Sequence, residues 1–158
     1  MREDAHKAPT PKLPGARILL VVAPYYRAIA GQLQRGAEAA ASEAEVTLDR
    51  IFVPGAFEIP GAISLVSKTD AYDGYVALGC VIRGETSHYD YVCGESARAL
   101  MDLATTQGLA IGYGILTVEN MDQAQVRADI ARGDKGGEAT RACLSIVALK
   151  RRLAGALK

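Results

Sequence analysis

Residues 73–92 read DGYVALGCVIRGETSHYDYV. An Asp-Gly turn signal opens a run of apolar and small residues without polar alternation, the pattern of a strand covered on both faces. The small and polar residues Arg83–Ser87 then lead into HYDYVCGESARALMDLATTQG (88–108), where Tyr89, Val92, Cys93, Ala97, Leu100, Met101 and Ala104 recur at spacings that predict an amphipathic helix ended by Gly108. A buried strand feeding directly into such a helix is half of a βαβ unit, and a parallel sheet follows from it.

The same alternation runs through the chain. RILLVVA (17–23) predicts a buried strand stopped by Pro24, and YRAIAGQLQRGAEAAASEA (26–44) a helix with Ile29, Leu33, Ala37 and Ala40 on one face. EVTLDRIFV (45–53) predicts a second strand, and FEIPGAISLVSKT (57–69) a short helix that tolerates Pro60 in its first turn. LAIGYGILTV (109–118) is the fourth strand, and NMDQAQVRADIAR (120–132) a helix capped by Asn120 or Asp122. GGEATRACLSIVALKRRLAG (136–155) closes the chain as a helix, with Lys150, Arg151 and Arg152 set against its negative end. The order β-α-β-α-β-α-β-α-α specifies a doubly wound α/β layer with helices on both faces of the sheet. Residues 1–16, with three prolines and little apolar content, read as a flexible arm carrying a solvated His6; residues 17–158 read as one domain.

Lys plus Arg and Asp plus Glu are 18 each, so no basic surface calls for nucleic acid or an anionic membrane as a partner, and low net charge is compatible with self-assembly. The odd set Cys80, Cys93 and Cys143 reads as reduced, buried thiols of a cytoplasmic protein. No run approaches the ~20 apolar residues of a membrane helix, and MREDAHKAPTPKLPG has no signal-peptide core. A glycine fingerprint after the first strand, a phosphate-loop lysine motif and metal-ligand spacing of His and Cys are all missing from the sequence.

In a doubly wound sheet, ligands bind beyond the carboxyl ends of the strands. That directs attention to Tyr25 and Tyr26 in APYY (23–26), to VPGAFEIP (53–60), to RGETSH (83–88) and to GYGILTVEN (112–120). A helix N-terminus after a glycine loop favours an anion. Thr86 and Ser87 can either cap that helix or give hydroxyl bonds to a phosphate. His88 at the helix start can exchange protons near neutral pH, or simply pack. Glu58, on a turn stiffened by proline and glycine, can take ligand hydroxyls or only complement a helix dipole. Tyr25, Tyr26 and Tyr113 can stack on a flat ring or pack in the core. Arg127 and Lys135 can hold an anion or stay solvated. Cys93 follows His88 by five residues, and on a helix the two point apart, which makes a poor nucleophile pair for a cysteine hydrolase.

The segments VPGAFEIP (53–60), GCVIRGETSHYDYV (79–92), GILTVEN (114–120), QAQVRA (123–128) and DKGGEA (134–139) resemble the lumazine synthase family of riboflavin biosynthesis, in its order and spacing. The resemblance implies a flavodoxin-like α/β/α sandwich on a four-stranded parallel sheet. It also implies a condensation of 5-amino-6-(D-ribitylamino)uracil with 3,4-dihydroxy-2-butanone 4-phosphate, without metal or cofactor. It assigns Tyr25, Ala56, Phe57, Glu58, Cys80, Val81, Ile82 and Tyr113 to the pyrimidine and ribityl chain. Glu85, Thr86 and Arg127 fall to the phosphate, His88 to proton transfer, and Lys135 to an additional contact. Tyr113, Arg127 and Lys135 are implied to come from a neighbouring subunit of a homopentamer, which some members extend to larger shells; riboflavin synthase is an implied partner. A non-catalytic lumazine or riboflavin binder on the same scaffold is the competing expectation. The chain departs from the family pattern at Tyr25 and Tyr113, where other aromatics are common, at Pro24 in place of a frequent arginine, and at Ala131 in place of a frequent lysine.

Overall fold

The computed structural model describes residues 9–156; His6 and the arm's first eight residues lie outside them. Strands β1 (Arg17–Val22), β2 (Thr47–Phe52), β3 (Gly74–Ile82) and β4 (Ile111–Val118) form one sheet in the order β2-β1-β3-β4, every pair parallel. Between them run α1 (Arg27–Ala44), a 3-10 turn (Ala56–Glu58) continuing into α2 (Ile59–Ser67), and α3 (His88–Gln107); α4 (Met121–Ala128) and α5 (Lys135–Ala156) follow β4. This is the flavodoxin-like α/β/α sandwich.

Period-two side-chain alternation divides the core between the two faces. Ile18, Leu20, Val22, Val76, Leu78, Leu116 and Val118 pack with α1, α4 and α5. Leu19, Val21, Tyr75, Ala77 and Ile115 pack with α2 and α3. Both β1 and β3 are covered on both sides, which is why their sequences read as unbroken apolar runs. Each fully buried Val, Leu or Ile here contributes about 1.5–3 kcal/mol. Leu13 and Ala16, which the sequence reading puts in the arm, are buried in the α1 face, and Leu13 N–H donates to Ala44 O at 2.8 Å.

Several local expectations change. The buried face of α3 is Val92, Ser96, Leu100 and Leu103, while Met101 is 62% exposed. The polar Ser96 fits there because its hydroxyl donates to Val92 O at 2.6 Å. Helix α4 ends at Ala128 rather than Arg132. Asp129 turns extended and its carboxylate accepts from Ala131 N–H at 2.9 Å, while Gly133 N–H returns to Val126 O at 3.0 Å. Asn120 is the cap of α4, accepting from Gln123 N–H at 2.9 Å. Helix α5 continues to Ala156, so Lys150, Arg151 and Arg152 stand before its last turn instead of in it. Cys80 and Cys143 are buried as expected; Cys93 is only half-buried.

Two approaches set the positions of α1 and α5. Asp134, buried and in the left-handed region at φ 44°, pairs with Arg141 at 3.0 Å and shapes the start of α5. Gly136 lies against α1, where an added Cβ would sit 2.7 Å from the Leu33 carbonyl carbon and closer still to its oxygen. Backbone cannot yield there as a side chain would. Gly136→Ala is therefore expected to lower stability by about 3 kcal/mol, read as a shift of the urea midpoint with unchanged slope.

Candidate active site

The β1–β3 ladder ends at Val22–Leu78, closed by Ala23 N–H donating to Leu78 O at 2.9 Å. Strand β3 runs on through Gly79–Ile82 beside β4 alone. The chain from β1 leaves for α1 on one face while the chain from β2 enters the 3-10 turn on the other. The sheet order reverses here, and a cleft opens at the carboxyl edge.

A cavity of about 700 Å³ occupies that cleft. Tyr25 enters it after β1; Ala56, Phe57 and Glu58 after β2; Cys80, Val81 and Ile82 from the end of β3; Thr86 and His88 from the loop and first residue of α3. Ala56 is buried and anchors the turn, whereas Phe57 is 59% and Tyr25 75% exposed, rings offered to the cavity instead of packed away. The Glu58 carboxylate curls back toward Gly55, where an added Cβ would lie 3.1 Å from its Oε2. Glycine keeps that turn open for the carboxylate.

The loop Arg83–Ser87 carries little internal bonding. Ser87 occupies the cap position of α3 without a side-chain cap bond, and Thr86 Oγ1 accepts from His88 N–H at 3.4 Å. The first turn of α3 therefore faces the cavity mouth with polar groups available to an anion. Glu85 is exposed on this loop but does not line the cavity. Arg83, which the sequence reading left without a role, braces the loop. Its N–H donates to Val118 O at 2.9 Å, its guanidinium binds Glu119 at 2.9 Å and Asp90 at 3.3 Å, and it lies 4.2 Å over the Tyr89 ring. Exposed pairs are individually weak, but this set joins β3, β4 and α3.

Tyr113, Arg127 and Lys135 lie elsewhere. They line a second cavity of about 410 Å³ on the outer edge of β4 together with Glu138, to which Lys135 Nζ donates at 2.6 Å. Gly112 and Gly114 let α5 sit against β4 at this edge; a Cβ on Gly112 would run into Ala139. One chain thus carries two separated sets of the residues singled out in its sequence.

Tyr26, Tyr89 and Tyr91 also line the main cavity; the sequence reading gave Tyr89 and Tyr91 no part in a site. Tyr26 was legible as a second aromatic at a strand end. Tyr89 and Tyr91 carry no signal distinguishing them from helix-face residues. Burial is the main force on Cys80, Tyr26 and Tyr89 in the cavity wall and on the nearby Cys93 and Tyr113. It pushes the Cys80 thiol up to about 11, with Cys93 adding to the rise, and it raises the Tyr26, Tyr89, Tyr113 and Cys93 groups. Neutral thiols are poor nucleophiles, which disfavours cysteine chemistry.

A flavodoxin-like sheet with an open, aromatic-rimmed cavity and an anion-ready helix start at its switch point defines a small-molecule enzyme of the doubly wound α/β class. Residues 15–151 match the family model for 6,7-dimethyl-8-ribityllumazine synthase. The chain is 54% identical over 156 residues to the 6,7-dimethyl-8-ribityllumazine synthase of Methylobacterium radiotolerans, covering 98% of this chain and 95% of the relative. It is 55% identical over 137 residues to that of Novosphingobium aromaticivorans, covering 87% and 98%. It is 52% identical over 147 residues to 6,7-dimethyl-8-ribityllumazine synthase 1 of Rhizobium meliloti, covering 90% and 96%. The chain belongs to the 6,7-dimethyl-8-ribityllumazine synthase family, and with it to the condensing enzymes of riboflavin biosynthesis.

The raised thiols make a pH prediction. Cys143 stands at about 12 and Cys80 at about 11, against 9.0 when exposed. The fold favours the protonated thiol, so its contribution is complete below the unfolded value and is lost as pH rises from about 9 toward the folded values. Unfolding free energy measured at stepped pH is expected to fall across this window, and Cys80→Ala to flatten the fall.

Proposed function

We propose that the chain condenses 5-amino-6-(D-ribitylamino)uracil with 3,4-dihydroxy-2-butanone 4-phosphate to 6,7-dimethyl-8-ribityllumazine. The observation that carries this is the single cavity that gathers Tyr25, Ala56–Glu58, Cys80–Ile82, Thr86 and His88. The Tyr25 and Phe57 rings provide apolar faces for the pyrimidine and ribityl chain. Beyond Leu78 the β3 edge facing the cleft has no strand partner, so backbone at Cys80–Ile82 is available to the uracil edge. Glu58 accepts from ribityl hydroxyls. Thr86, the neighbouring Glu85 backbone and the α3 N-terminus take the phosphate.

The amine attacks the ketone and a Schiff base forms with loss of water. Phosphate leaves, and the second amine closes the ring with loss of a second water. His88, exposed at the cavity mouth, carries protons between these steps. Holding two reactive partners together supplies the larger part of the acceleration. The reading needs no metal or cofactor.

The second cavity supports a homopentamer. Arg127, Tyr113 and Lys135 line this second cavity and not the cleft of their own chain, and Tyr113 stands exposed on it. A ring of copies places this edge over the next subunit's cleft, where Arg127 completes the phosphate site. A cytoplasmic setting, in which the three cysteines stay unpaired, and riboflavin synthase as consumer of the product belong to the same proposal. The domain responsible is residues 17–158, with the end of the preceding arm, Leu13 and Ala16, packed into it.

Turnover is read from lumazine absorbance against the uncatalysed mixture; no rate above that background defeats the reading. His88→Ala is expected to lower kcat by about 10²-fold, the low end for a positioned acid/base, with both KM values little changed. Arg127→Ala is expected to raise the KM for the ketose phosphate by about tenfold or more, the size of a lost charge-assisted bond, and to leave that for the aminouracil unchanged. Sedimentation of the full chain is expected to give a particle of five subunits or a multiple of five.

A further inference from the structure

Tyr25 is 75% exposed, and an exposed ring has no fixed attitude unless something holds it. Its neighbour is differently placed. Tyr26 is half-buried, packs on the core beneath α1, and also lines the cavity. The Tyr26 backbone is pinned on both sides. Ahead of it, Ala23 is tied to Leu78 and Pro24 fixes its own φ; behind it, Tyr26 O accepts the first turn of α1 from Ala30 N–H at 2.9 Å. The Tyr25 and Tyr26 rings meet edge to face, centroids 5.0 Å apart and planes at 73°. That is a favourable aromatic geometry. The half-buried ring thus sits against the exposed one.

We infer that Tyr26 is a positioning residue: its ring presets the attitude of Tyr25 for stacking on the pyrimidine. This rests on the reading of Tyr25 as the stacking ring. Pro24 acquires a reason on the same geometry, since it stiffens the link on the other side of Tyr25. The Tyr26 hydroxyl, raised first by burial and then by Tyr25 and Cys80, remains a neutral group beside the cavity wall.

The test uses the full chain and two readouts: steady-state kinetics, and fluorescence titration with 6,7-dimethyl-8-ribityllumazine. Tyr26→Leu keeps an apolar side chain against the core but loses the ring edge. It is expected to raise the aminouracil KM and weaken lumazine binding about fivefold, within the range of an edge-to-face pair, with the ketose phosphate KM unchanged. Tyr26→Phe keeps the edge and is expected to match the wild type. In a Tyr25→Ala background, Tyr26→Leu is expected to have no further effect, because the ring it positions is gone. Additive losses, or a Tyr26→Phe as impaired as Tyr26→Leu, overturn the inference, because Tyr26 then acts on the ligand directly. Should Tyr26→Leu fail to fold, Tyr26→Met carries the same comparison. A wild type that binds lumazine without turnover overturns the catalytic reading alone, and the inference is decided on the binding ratios. A wild type that does not bind lumazine overturns the inference as well.

Discussion

The hydrogen bond from Ala23 N–H to Leu78 O, 2.9 Å long, is the last tie between the two central strands. Up to that bond, β1 and β3 are neighbours buried on both faces. Beyond it they part, because β1 is spent at Pro24 while β3 has four residues left, Gly79–Ile82. The parting is forced by topology. In the order β2-β1-β3-β4, the connections from β1 and from β3 go to opposite sides of that seam. Tyr25, Glu58 and His88, distant in sequence, reach one cavity for this reason.

The sheet also limits what a single chain can do. Four strands leave β4 at an edge, and the groups beyond it, Tyr113, Arg127 and Lys135, sit in a depression of their own. Gly112 and Gly114 allow α5 to lie close behind this edge, and Asp134 with Arg141 fixes where α5 starts, so Lys135 has a defined place. A rigid edge presenting a cation and an aromatic suits completion of someone else's site better than a site of its own. On the proposed reading, the fold divides one active site into two halves, and closed symmetry rejoins them.

The fold was legible because its main signal is physical and local. RILLVVA and YVALGCVI are apolar throughout, since both faces of β1 and β3 are covered, and the glycine and asparagine caps mark helix ends directly. What escaped depended on tertiary contacts. Met101 matches the helical period of α3 but faces outward, whereas Ser96 turns inward because its hydroxyl finds the Val92 carbonyl. The early stop of α4 comes from an aspartate and a glycine closing a turn, which a run of helix-tolerant residues does not announce. At the site, three of the four loops predicted from strand ends line one cavity and GYGILTVEN (112–120) contributes nothing to it, while residue types alone left His88 and Thr86 between capping and chemistry. The weak 3.4 Å contact at Thr86 and the absence of a Ser87 cap bond leave both hydroxyls uncommitted within the chain. The separation of Arg127 from the main cavity has no local signature, because it depends on how far around the sheet β4 stands.

Most of the cavity's apparatus is neutral or backbone: the free edge of β3, two exposed aromatic rings, a protonated thiol at Cys80 and the start of α3. Its reaction brings together an amine and a ketone that need orientation more than activation. A strongly nucleophilic or strongly charged group at the cleft would compete for the ketone or trap the leaving phosphate. Burial keeps the Cys80 thiol protonated and removes the first hazard. On the proposed reading, an arginine supplied from a neighbouring chain meets the second: it would hold the phosphate by a charge at the rim, next to solvent, from which it can leave once its bond is broken. On the same proposed reading the sparse hydrogen bonding of the Arg83–Ser87 loop has a use, since it leaves N–H groups and hydroxyls for a substrate, while Arg83 holds the loop by its base on β3, β4 and α3.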